Sequence, residues 1–138
     1  MTARARPSPP GRRWAGASVL VVALALSACA GSSGGDVPSS GPLAVYPRPD
    51  AGMDALLEGT LVLDPACVQV ASPEGHIAVP VFPAGDATLE ADGTVLVWDG
   101  EEYRHGDRIA LGGGFSPVSG GYVPAACEGL ELFAVAPA

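Results

Sequence analysis

Beyond Gly31, no stretch free of both glycine and proline exceeds seven residues, and this ceiling decides what the chain can fold into. Inside an α-helix a glycine costs about 1 kcal/mol and a proline about 3 kcal/mol, and isolated helices shorter than about 12 residues are marginal. Such dense punctuation nearly excludes helices and leaves gaps that suit short strands. Strand candidates occupy residues 56–63, 67–71, 76–82, 88–91, 94–98, 101–105, 108–111 and 130–135. In the first, Leu57, Gly59, Leu61 and Leu63 share one face; in the third, Ile77, Val79 and Val81 do. Asp92-Gly93 between two candidates is a strong two-residue hairpin signal. Strands this short cannot build two large sheets. A small, strongly bent all-β barrel of about six strands is the economical arrangement, because closure removes unpaired edges.

The first 28 residues differ in character. Arg4, Arg6, Arg12 and Arg13 precede an apolar run over residues 14–26, too short to span a bilayer comfortably. The run closes on Leu26-Ser27-Ala28-Cys29. In all three parts this resembles a bacterial lipoprotein signal, with an ordinary secretory signal or a poor transmembrane helix as the alternatives. The resemblance implies diacylglyceryl attachment to the Cys29 thiol, cleavage before it, and a membrane anchor of acyl chains such as palmitate on the extracytoplasmic face. Arg12-Arg13 raises twin-arginine export, but Trp14-Ala15-Gly16 lacks the expected apolar pair, so general secretion is favoured. Residues 1–28 thus read as signal peptide, 29–52 as a Gly/Ser/Pro-rich tether and 53–138 as the folded domain. Leu43, Val45 and Tyr46 have the option of packing on the domain, with a solvated linker as the default.

Without residues 1–28, three arginines (Arg48, Arg104 and Arg108) face fifteen carboxylates, a formal net charge of −12, and there is no lysine. Such a surface repels phosphate, which argues against nucleic acid as a partner and against membrane binding through a basic patch. It favours neutral or cationic partners: a glycan, a peptide or an envelope protein. With Cys29 assigned to lipid, Cys67 and Cys127 remain in an oxidising compartment, where pairing is the expectation. Two free thiols or a two-cysteine metal site are the alternatives, although neither cysteine has a second ligand at metal spacing.

Glu58-Gly59-Thr60-Leu61-Val62-Leu63 leading to Cys67-Val68-Gln69-Val70 carries a second resemblance, continued by Val79-Pro80-Val81-Phe82-Pro83, by the segment from Gly106 to Gly114, and by Cys127. The pattern is similar to OB-like domains of mostly actinobacterial lipoproteins. It covers residues 55–136 and implies a small OB-like barrel, and carries over no catalytic residue.

Chemistry-bearing motifs are sparse. Asp86, Glu90 and Asp92 crowd one turn and Glu101, Glu102, His105 and Asp107 another, but neither has calcium-loop spacing, so no metal site is expected. Gly112-Gly113-Gly114 lacks the lysine and following helix of a phosphate loop, and no cofactor fingerprint occurs. A Ser/His/Asp site would need Ser72, Ser116 or Ser119 brought to His76 or His105, and no Gly-x-Ser-x-Gly elbow is present. Residues 112–126 form the longest stretch without a strand pattern, and long loops on rigid barrels often carry function. Phe115 and Tyr122 there, with Trp98, are the candidate stacking surface; the alternative is that Trp98 and Tyr122 cap the core. The preferred reading is a non-enzymatic binding or accessory module of the cell envelope. The alternative is a small hydrolase using His76 or His105 with an acidic residue.

Overall fold

In the computed structural model, which describes residues 35–138, the closely punctuated chain forms nine strands and no α-helix. Cys29 and the lipoprotein-like signal lie outside the described residues. The strands are β1 (Ala44–Tyr46), β2 (Ala55–Leu63), β3 (Val68–Ala71), β4 (Ile77–Pro83), β5 (Ala87–Leu89), β6 (Val95–Trp98), β7 (Glu101–Arg104), β8 (Arg108–Phe115) and β9 (Glu131–Val135).

Five of them close a barrel. β2 pairs antiparallel with β3 and with β8, β3 with β4, and β8 with β9, and a parallel β4–β9 ladder completes the ring. Counting barrel strands alone, the order is first, second, third, fifth, fourth and back to first. That is a five-stranded Greek-key barrel, the OB-like architecture. Between the third and fourth barrel strands, β5, β6 and β7 form a separate antiparallel meander.

Three sequence expectations need correction. The described residues form nine strands rather than the eight candidates, because β1 is added, and five of the nine rather than about six close the barrel. The fourth barrel strand does not stop at Leu111; it continues through Gly112-Gly113-Gly114 to Phe115, pairing with Ala55 and Leu56 on one side and β9 on the other. Glycine is required here by crowding: a Cβ on Gly113 would meet the Ala134 carbonyl and the Phe133 ring, and one on Gly114 would meet Met53. Lastly, the segment read as solvated tether is part of the fold from Leu43 to Tyr46. Leu43, Ala44 and Val45 are buried and β1 runs parallel to the end of β4.

The core has two compartments. Leu57, Leu61, Val70, Phe82, Leu111 and Phe133 fill the barrel, and Leu96 and Trp98 of the meander plug the end where β4 finishes. Outside the barrel wall, Ala44, Val79, Val81 and the two cysteines form a second cluster. β4 is therefore buried on both faces, which explains its nearly unbroken apolar sequence. Each fully buried valine or phenylalanine contributes roughly 1.5–3 kcal/mol of transfer free energy.

Candidate functional site

In OB-like barrels the outer face of the second and third strands, with the loops beside it, is the usual ligand platform. Here the chain covers much of that face itself. The loop over residues 116–130 crosses the outside of β4, and its Val118, Val123 and Leu130 pack onto the Val79 and Val81 cluster. Cys127, in a short 3-10 turn (Ala125–Cys127), is disulfide-bonded to Cys67 with the Cα atoms 5.4 Å apart. Tyr122 stitches the loop to β1: its N–H donates to the Val45 carbonyl at 2.7 Å, and its own carbonyl accepts from the Val45 N–H at 2.9 Å. The Tyr122 hydroxyl donates to the Gly41 carbonyl at 2.8 Å. This residue closes a wall rather than presenting a ring to a ligand.

The stacking surface expected from Trp98, Phe115 and Tyr122 does not assemble. Trp98 is 8% exposed and lies tilted on Phe82, ring centroids 5.1 Å apart, at the plugged end of the barrel. Phe115 is 47% exposed where β8 finishes and meets Phe133 edge-on at 5.0 Å. The barrel end beyond β4 needs a large apolar plug, and Trp98, the bulkiest side chain of the meander, fills it.

What the structure exposes instead is the other end. Met53, Leu56, Ile77 and Phe115 are the large apolar side chains left exposed among the described residues. They sit where β2 and β4 begin and β8 ends. His76 joins them: its ring is 6.1 Å from Phe115, and its Nε2 is 2.7 Å from Glu131 Oε2, both side chains about half exposed. A concavity of about 400 Å³ is lined by Leu56, Glu58, Ser72, His76, Arg108 and Phe115. Sequence reasoning missed this surface for a definite reason. Ile77 was aligned with Val79 and Val81, as the structure has it, but the covering loop stops short of Ile77 and leaves it bare.

His76 is thus set against a carboxylate, as a catalytic histidine would be, whereas His105 is not: its Nδ1 accepts the Leu63 N–H at 3.2 Å. The Ser72 hydroxyl accepts the backbone N–H of His76 at 3.1 Å, a turn contact rather than a bond to the imidazole. Among the described residues, no three His, Cys, Asp or Glu side chains stand together as a metal site would require.

A second concavity, of about 610 Å³, separates residues 35–45 from β5. Its walls are largely Pro38, Pro42, Leu43, Ala87 and Leu89, and Asp36, Glu90 and Asp92 stand on its rim. The Asp92 carboxylate accepts both the N–H and the hydroxyl of Thr94, which holds its pKa below the ordinary carboxylate value. Comparison with protein-family models, with curated proteins and with solved structures gives no match to this chain.

Proposed function

We propose that this protein is a lipid-anchored, extracytoplasmic binding module of the cell envelope, non-enzymatic, that docks a protein partner on the barrel end formed by Met53, Leu56, Ile77 and Phe115. One observation carries the reading: the large apolar side chains left exposed gather at one end of a disulfide-stapled barrel. Exposed apolar clusters rimmed by polar groups mark interaction sites, and aromatic residues dominate the energetics of such contacts. Glu58, His76, Arg108 and Glu131 supply the polar rim.

The anchor rests on the Leu26-Ser27-Ala28-Cys29 signal. Gly35 lies against Gly85, just past the end of β4, whereas Ile77 begins that strand. The apolar end is therefore the end of the barrel opposite the first described residue. A net charge of −12 on the mature chain favours neutral or cationic partners and disfavours nucleic acid.

Solubilised membranes from cells carrying the tagged full chain test this. A partner co-purifies with the native chain and is lost from the Leu56→Ser/Phe115→Ser variant, whose melting temperature stays close to native because Leu56 is mostly exposed and Phe115 nearly half exposed. Equal recovery with both chains contradicts the assignment of the surface. A hydrolase built on His76 and Glu131 is the second reading, favoured by their 2.7 Å contact. Its signature is turnover of an envelope-derived substrate that disappears in His76→Ala.

A further inference from the structure

We propose that the groove beside β5 binds an extended, basic peptide segment by strand addition, a site distinct from the apolar barrel end. In the β5–β6 ladder Leu89 faces Leu96 and Thr88 faces Val97, and the Glu90 N–H donates to the Val95 carbonyl at 2.9 Å. Antiparallel pairs alternate between hydrogen-bonded and non-hydrogen-bonded, so Glu90 and Thr88 turn their backbone groups toward β6. Ala87 and Leu89 turn theirs the other way. Among the described residues nothing pairs with those amide and carbonyl groups.

The groove lies on that open side. Ala87, Thr88, Leu89 and Glu90 line it and no β6 residue does, while the opposite wall is built from residues 35–45. An unpaired strand edge facing an apolar trough is the geometry of β-augmentation, in which backbone bonds give affinity and alternate side chains give specificity. Charge selects the occupant. Asp36, Glu90 and Asp92 stand on the rim, so side chains pointing out of the trough are matched when they are lysine or arginine, and those pointing in when they are small and apolar. A second copy of this chain is a poor occupant, since the mature chain carries a formal charge of −12.

The test uses the full chain purified in detergent and a fluorescent peptide alternating lysine and valine, read by anisotropy. The peptide binds; its glutamate–valine counterpart does not; and N-methylation of alternate backbone amides abolishes binding while leaving charge intact. Asp36→Asn and Glu90→Gln each weaken binding by about twofold to fivefold, the range of a single exposed ion pair. The Leu56→Ser/Phe115→Ser variant binds the peptide as the native chain does, which keeps this site separate from the barrel end. No binding, binding indifferent to N-methylation, or self-association through β5 in place of peptide binding would each overturn the proposal.

Discussion

Cys67 and Cys127 lie 60 residues apart in sequence, yet their bond joins the start of β3 to the long loop that covers the outside of β4. Both sulfur-bearing residues are about 1% exposed, so the bridge is a buried element of the second core rather than a surface clasp. It holds in place the loop that covers the outside of β4, the face that serves as ligand platform in other OB-like barrels.

Closing a loop of this length restricts the unfolded chain, and the chain-entropy model assigns about 4 kcal/mol to it. Urea unfolding of the Cys67→Ala/Cys127→Ala variant should show a loss of that order. Limited proteolysis should then cut first within residues 116–130, a segment the native bridge protects.

Tyr46 adds a pH-dependent term. Its hydroxyl donates to the Val135 carbonyl at 2.6 Å, and burial raises its pKa above 10.0, the Arg48 charge opposing only in part. The native state then holds this proton more tightly than the unfolded chain. The stabilisation is complete below pH 10.0 and is lost as pH rises through the raised native value. The native chain should lose stability in alkaline solution more steeply than Tyr46→Phe does. At neutral pH that variant should be less stable by about 1 kcal/mol, the net worth of one hydrogen bond. Denaturation midpoints across pH 8–11 give the comparison.

Trp98 is a structural plug, so Trp98→Ala should cost about 3–5 kcal/mol through the cavity it leaves. Tyr122→Phe, which removes only the hydroxyl bond to Gly41, should cost about 1 kcal/mol. Similar small losses in both would return Trp98 to the surface.

Much of the barrel is legible in the residues. Gly and Pro spacing excludes helices, Asp92-Gly93 marks the β5–β6 turn, and Cys67 and Cys127 pair as expected. What local pattern does not encode is closure. Nothing near Gly112-Gly113-Gly114 reveals that the Ala134 carbonyl and the Phe133 ring will crowd Gly113, so a strand end looks like a loop. Pro47 and Pro49 make β1 look like linker, because its partner β4 lies more than thirty residues away. The exposed end is illegible for the same reason: Ile77 and Val79 share one face of β4, and only the reach of the covering loop separates them.

The anchor has its own test. Cys29→Ala should move the chain from the membrane fraction to the soluble fraction, and metabolic labelling with a palmitate analogue should mark only the native chain. Retention of the variant at the membrane would contradict lipid anchoring.

Site-specific photocrosslinking in intact cells tests the docking surface most directly. A photoreactive residue replacing Phe115 should form a discrete adduct with one envelope protein, and the same residue at Glu101, on the exposed meander, should not. No adduct at Phe115, or the same adducts at both positions, would contradict the barrel end as the binding face.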